Sequence, residues 1–271
     1  MCGFICIINE NELSNKLKKL SNNNLLSDHR GPDSKKIYSK KNFFGLFRRL
    51  AIIDLSKKSN QPFESDDGSH IIFFNGEIYN YLQIKEILKK KKIKFKTKGD
   101  AEVLLKAYLF FGKDFIKQIR GMFSFCIWDN KKEKLLAYRD RFGQKPLYYY
   151  KTYKGLVVSS EIKDIKNLID LKENPNAVFK YLYRNILDLN EETFYKKLKR
   201  LRPSHNLIYQ KNKIFLKKYY SINFSENKKL NTNEFLENFN ENINLHLQSD
   251  VKLAFLLSGG LDSSSNVASS L

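Results

Sequence analysis

The second residue of the chain is a cysteine, in the run Met1-Cys2-Gly3-Phe4-Ile5. A small side chain after the initiator favours removal of Met1, which leaves Cys2 at the N-terminus. One residue then carries both a thiol and a free α-amine. An α-amine titrates at about 7.7–8.0, so part of it is unprotonated at neutral pH and can act as a base. A thiol beside such a base is an activated nucleophile with no need of a histidine. A frayed end with an incidental cysteine is the simpler explanation for position 2 alone. The rest of the chain reverses that preference.

A second motif, Ser258-Gly259-Gly260-Leu261-Asp262-Ser263, follows the apolar run Val251–Leu257 and precedes a helical pattern. Glycines let backbone N–H groups close around an anion, and a helix N-terminus adds favourable partial charge. The serines can donate further bonds, and Asp262 can hold a magnesium ion on phosphates. The run lacks the Gly-Lys-Ser/Thr ending of a Walker A loop. It has the pattern of the pyrophosphate loop in enzymes that adenylylate a substrate. An ordinary glycine-rich turn is the competing reading, and the full pattern in this context weighs against it.

Between these ends lie residues that make sense as a set. Asn75-Gly76 offers a side-chain amide and a backbone N–H at adjacent positions, which together can bind an oxyanion. It is equally a favoured turn pair. Arg49, between apolar runs, can fork onto a substrate carboxylate or serve a structural ion pair. Glu77 and Asp100 can receive an ammonium, and Asp100 can equally cap a helix. Arg30-Gly31-Pro32-Asp33 is a rigid loop or a surface turn. A nucleophile, an amine base, an oxyanion hole, a carboxylate clamp and an ammonium clamp together fit an α-amino acid with a side-chain amide.

The elements that must position these residues can be read from periodicity. Strands are expected at Phe4–Ile8, Phe43–Phe47, Leu50–Leu55, His70–Phe74 (stopped by Asn75-Gly76), Phe123–Trp128, Lys134–Tyr138, Leu147–Tyr150, Leu156–Ser159 and Val251–Leu257. Helices are expected over Asn11–Leu26, Tyr79–Lys90, Ala101–Phe110 with Asp100 as N-cap, and Thr232–Leu247. Ser56–Gly68 reads as a loop and Ser221–Leu230 as a linker. Asn174–Lys217 alternates helical and extended pieces. Strands with helices between them suggest layered sheets flanked by helices.

Composition narrows the class. At 271 residues the chain can hold one large domain or two ordinary ones. With 42% apolar residues it is not a disordered chain. No run is long enough to span a membrane. The polar Asn9-Glu10-Asn11-Glu12 directly after the first apolar run argues against a secretory signal. Cys2, Cys6 and Cys126 suggest neither a disulfide framework nor a metal cluster. Cys2 and Cys6 on one strand would lie roughly 13 Å apart, too far to bridge. A reducing, cytoplasmic setting is expected. The net charge of +20 raises a nucleic-acid partner. The lysines are spread among Asn and Ile, however, as an A/T-rich genome would produce, and Lys89–Lys92 reads as a solvated helix end. Neither nucleic acid nor membrane is expected as a partner.

The chain resembles the N-terminal part of the glutamine-hydrolysing asparagine synthetase family. The matching stretches are Met1-Cys2-Gly3, Arg30-Gly31-Pro32-Asp33, Arg49–Asp54, Asn75–Asn80, Gly121-Met122-Phe123, Arg139–Gly143, Lys145–Tyr148, Ser160–Lys163 and Ser258–Ser264, in the family's order. The resemblance implies an α+β fold: an N-terminal-nucleophile αββα sandwich over 2–215, then the first strand and helix start of an α/β ATP-pyrophosphatase domain over 231–271. It implies Cys2 as nucleophile, with Asn75 and Gly76 as oxyanion hole. Glutamine would be held by Arg49, the stretch Leu50, Ala51, Ile52 and Ile53, and by Asn75, Gly76, Glu77 and Asp100. ATP would meet Leu257, Ser258, Gly259, Gly260, Asp262 and Ser263, with Mg²⁺ at Asp262. The implied activity is glutamine-dependent, ATP-using asparagine synthesis. Its partners would be glutamine, aspartate and ATP, its glutaminase step would need no cofactor, and its assembly would be a homodimer.

Three positions depart from the family pattern. Phe47 stands where histidine is usual, and a place outside the clamp would explain it. Gln144 and Ser124 replace residues that are usually apolar or smaller, and Ser124 is expected near the route of ammonia. The chain stops at Leu271 inside the expected helix, so a fragment or a truncated product is expected, with an exposed 251–257 strand as an aggregation hazard. Rival readings are amidation of another carboxylate such as a sugar uronic acid, a non-catalytic basic nucleic-acid-binding module, and an unrelated N-terminal-nucleophile hydrolase.

Overall fold

The computed structural model describes residues 1–22, 27–187, 190–223 and 231–270. Two six-stranded antiparallel sheets carry the architecture. The first is ordered β10-β8-β9-β1-β3-β2, from Leu198–Arg200, Tyr148–Lys151, Leu156–Ser159, Gly3–Ile8, Phe43–Arg49 and Ser34–Lys40. The second is ordered β12-β11-β7-β6-β5-β4, from Lys213–Lys218, His205–Gln210, Lys134–Arg139, Gly121–Asp129, His70–Ile78 and Phe63–Glu64. The helices are α1 (Asn11–Asn22), α2 (Tyr81–Lys90), α3 (Asp100–Phe111), α4 (Phe115–Gln118), α5 (Ile162–Leu168), α6 (Pro175–Arg184), α7 (Thr232–His246) and α8 (Leu261–Ala268).

The layering follows from strands that are apolar on both faces. In β1, Phe4, Cys6 and Ile8 face the second sheet, and Ile5 and Ile7 face Leu17 of α1 and Ile165 of α5. In β5, Ile71 and Phe73 face the first sheet, and Ile72, Phe74 and Ile78 face Ile84 of α2 and Val103 of α3. A period of two places alternate side chains on opposite faces. Continuous apolar strands therefore demand cover on both sides, and the result is the expected αββα sandwich. Phe43 stacks on Trp128 at 4.9 Å between the sheets, and each such buried aromatic contributes roughly 2–3 kcal/mol of apolar burial. Phe47 is fully buried in this inter-sheet core beside Phe73, which accounts for its apolar type.

Several expectations need correction. Leu50–Leu55 is not a strand: β3 ends at Arg49, and the chain turns into an irregular loop with Asp54 at φ +53°. Asn75-Gly76 does not stop β5, which pairs with β6 through Ile78. Gly76 lies at φ +151°, and a Cβ there would come 2.1 Å from the Met122 carbonyl oxygen. The glycine lets the two strands approach where a turn was expected. Asp100 is the first residue of α3, with Gly99 at the cap. The expected Asn11–Leu26 helix is described as far as Asn22, and residues 23–26 lie outside the described residues. Val251–Leu257 forms no strand. Its large apolar side chains are exposed, Leu256 at 97%, because no neighbouring strand among the described residues offers a ladder. The expected linker at 221–223 has no regular structure, and 224–230 lie outside the described residues. Lys89–Lys92 is exposed at the end of α2, as its composition suggests.

Candidate active site

A pocket opens at the N-terminal end of β1. Its walls include Met1, Cys2, Arg49, Leu50, Ile52, Ile53, Asn75, Gly76, Glu77, Asp100 and Lys145. Residues from five parts of the sequence thus converge, and all but one of the expected glutamine-binding residues line the space. The exception is Ala51, whose N–H donates to Asp33 Oδ2 at 2.7 Å and which is not among the lining residues.

Cys2 is held through its carbonyl and its thiol. Its carbonyl accepts from Arg30 Nε at 2.8 Å, and its thiol sits against Leu50, accepting from the Leu50 N–H at 3.3 Å. Burial pushes the thiol above its ordinary value, and the Leu50 contact works in the opposite direction. Arg30 is fixed in turn by Glu161, whose Oε1 accepts from its Nη1 at 2.9 Å and lies 2.9 Å from His29 Nε2. Ser160 fixes Phe4, two residues further on, taking the Phe4 N–H on its hydroxyl and donating its own N–H to the Phe4 carbonyl.

Asn75 is 1% exposed, and its Nδ2 has no hydrogen-bond partner among the described residues. A buried amide donor left open in the same pocket as a thiol suits an oxygen that gains charge during reaction. Across the ladder lies Ser124, fully buried, with its hydroxyl also unpartnered. Gln144, by contrast, is exposed, so its departure from the family pattern is without consequence for the pocket.

The acidic wall is raised in pKa. Asp100 is pushed up to about 7 by burial, with the Glu77 charge adding to the shift and the Ile78 N–H, 3.1 Å from Oδ2, opposing it. Burial also raises Glu77, opposed by Lys145 and His246. Two carboxylates that hold charge at such cost are suited to a cation between them.

Arg49 is differently placed from the expectation of a free fork. Its Nη1 donates to the Ser56 carbonyl and Asn60 Oδ1, and its Nη2 to the carbonyls of Ile53 and Asp54. Four bonds match the four N–H groups of the terminal nitrogens. The guanidinium thus ties down the loop that follows β3. Asp250, just after α7, secures the same loop: its N–H donates to the Ile52 carbonyl at 2.9 Å, and its Oδ2 accepts from Asp54 N–H at 2.6 Å.

Sequence reasoning missed Lys145 and Asp250. Lys145 stands in a quoted stretch, but nothing in its neighbours marks it as a pocket residue. Asp250 lies 196 residues from the loop it holds, and no local pattern reports such a contact.

The glycine-serine run is well formed but lies apart from this pocket. Gly259 takes φ +80°, α8 starts at Leu261, and the Ser258 and Ser263 hydroxyls are 3.0 Å apart. Leu257, Ser258, Gly259, Gly260 and Asp262 are exposed and Ser263 is half-buried, and none of them lines the glutamine pocket. The donor set fits a phosphate group: two hydroxyls and the open N–H groups of a helix start, with one carboxylate for a cation.

Residues 1–220 match the glutamine amidotransferase domain family, and the chain belongs to it. Residues 234–270 match the asparagine synthase family. Among curated relatives, asparagine synthetase [glutamine-hydrolyzing] 1 of Bacillus subtilis is 34% identical over 97% of this chain and 43% of its own. A putative asparagine synthetase [glutamine-hydrolyzing] 2 of Methanocaldococcus jannaschii is 37% identical over 98% of this chain and 56% of its own. The chain therefore spans about half the length of these relatives. Among solved structures, the glutamine phosphoribosylpyrophosphate amidotransferase of B. subtilis has a TM-score of 0.60 at 18% identity, covering 82% of this chain and 50% of its own, a likeness of fold. No described helix is long and apolar enough to cross a membrane.

Proposed function

We propose that this chain hydrolyses glutamine to glutamate and ammonia, and that the ammonia serves asparagine synthesis in the full-length enzyme. The observation that carries the reading is the open Asn75 amide donor in the same pocket as Cys2 and the two raised carboxylates. With Met1 removed, the α-amine of Cys2 takes the thiol proton. The thiolate attacks the side-chain carbonyl carbon of glutamine. Asn75 Nδ2 and the Gly76 N–H hold the oxyanion. The C–N bond breaks, the α-amine passes its proton to the leaving ammonia, and water hydrolyses the thioester. Glu77 and Asp100 receive the ammonium of glutamine. Arg49 meets the carboxylate, which requires part of its hold on the 53–56 loop to be exchanged for substrate.

The same reading divides the chain into a glutaminase domain over 2–215 and the start of a synthetase domain over 231–271. Ser258, Gly259, Gly260 and Ser263, with Leu257 beside them, would hold ATP phosphates and Asp262 a Mg²⁺ ion. The bound nucleotide supplies adenylylation of aspartate. Glutamine, aspartate and ATP are the partners, in the cytoplasm, without nucleic acid or membrane, and the assembly is a homodimer. Glutamate release by the purified chain tests the reading. Cys2→Ala should lower it roughly a thousandfold or more, and release that survives the substitution would falsify the assignment.

A further inference from the structure

Lys145 is a buried cation that forms no ion pair among the described residues. It is 7% exposed, and its Nζ has one hydrogen-bond partner among the described residues, the Met1 Sδ at 3.2 Å. A thioether is a weak acceptor, and a buried ammonium is ordinarily paired. Burial lowers the Lys145 ammonium from its ordinary value; Glu77 is the carboxylate that opposes this most and Asp140 adds to it, yet the ammonium forms no ion pair among the described residues. Its backbone is fixed: the Lys145 N–H donates to Asp140 Oδ2 at 2.9 Å, and its carbonyl accepts from Arg139 Nε at 2.9 Å. From this held backbone the side chain reaches Met1.

The groups facing the N-terminus are few. Burial most strongly disfavours charge on the Met1 amine; the Cys2 thiol and Asp33 favour a charged amine there, and Arg30 and Lys145 disfavour it. Around them stand Glu77 and Asp100 on the acidic wall and Arg49 on the loop. Arg30 acts on the amine more than Lys145 does, but Glu161 pairs with it at 2.9 Å, whereas Lys145 forms no ion pair among the described residues. Removal of Met1 takes away its thioether partner and leaves the ammonium in the pocket that Cys2 also lines.

We propose that Lys145 keeps the Cys2 α-amine unprotonated in the processed chain, so that the amine is free to take the thiol proton. Lys145 acts through the amine, not on substrate: a like charge close by disfavours the protonated form. The proposal rests on the glutaminase reading given above.

The test uses the chain lacking Met1, labelled with ¹⁵N-cysteine. Three cysteines give three signals, and the Cys2 α-amine is followed as pH is varied. In Lys145→Met the amine should titrate about one unit higher than in the unmodified chain. The acid limb of kcat/KM for glutamate release should move by the same amount, a loss of about tenfold on that limb. The high-pH plateau should stay in place, and Lys145→Arg should restore the original limb. An amine titration unchanged in Lys145→Met, or a lowered plateau with an unmoved limb, would overturn the proposal. If Lys145→Met does not fold, Lys145→Gln carries the same titration with a polar side chain of similar reach. An unmodified chain that releases no glutamate would sink the glutaminase reading, and the amine titration would still decide Lys145.

Discussion

The two halves of this chain carry equally legible motifs and meet opposite fates. Cys2 and Asn75 sit in a sandwich whose strands are covered on both faces. Ser258–Ser263 follows an apolar segment whose side chains lie open, with Leu256 at 97% exposure. Val251–Leu257 has the composition of a buried strand, as β1 does. The difference is in the neighbours. Between β9 and β3, β1 gains two ladders, whereas 251–257 finds none among the described residues. A strand is a property of a sheet, not of a segment, because its backbone groups need partners from elsewhere in the chain. The glycine-serine turn and the start of α8 form regardless, since their bonds close within a few residues.

Substitutions can break or sharpen this contrast. Phe73 is fully buried against Phe4, Phe43 and Phe47. Phe73→Ala should cost about 3–5 kcal/mol in urea unfolding; a loss below about 1 kcal/mol would mean the inter-sheet core does not carry the fold. Asn75→Ala should lower kcat for glutamate release about 10²–10³-fold with the unfolding midpoint little changed. A change confined to KM would remove Asn75 from the oxyanion role.

Asp100 supplies a pH test. Its folded-state value of about 7 lies above the ordinary carboxylate value. The folded state therefore holds this proton more tightly than the unfolded chain does. The resulting stability is fully present below the ordinary value and is lost as pH rises through about 7. Without glutamine, the contribution of this group should fall between about pH 4 and 7, and Asp100→Asn should flatten that part of the profile. The KM for glutamine should move the other way, rising as pH drops below about 7, because the ammonium needs an ionised partner. The smallest effect is expected at the exposed segment. Leu256→Lys should shift stability by no more than about 0.5 kcal/mol, and a larger loss would reveal a packing partner for residues 251–257.

Some of the site was readable from residue types alone. Cys2, the Asn75-Gly76 pair and Glu77 point to their chemistry as a set, and the structure brings them into one pocket. Other roles were legible only in part. Arg49 reads as a carboxylate clamp, yet its terminal nitrogens are spent on the loop that follows it. Asn75-Gly76 reads as a turn, yet it lies within β5, because Gly121 and Gly76 let the backbones approach closely. A Cβ on Gly121 would lie 2.2 Å from the Glu77 carbonyl oxygen.

The sequence by itself determined the apolar strands that need cover on both faces, the nucleophile at position 2, and the glycine-serine turn before α8. These rest on side-chain type and short-range geometry. Only the tertiary structure decided which distant residues meet: Arg30 on the Cys2 carbonyl, Asp250 on the pocket loop, Lys145 at the N-terminus, and the absence of a ladder for 251–257. Such contacts depend on strand register and on what covers a buried charge, and neither is encoded in a local pattern.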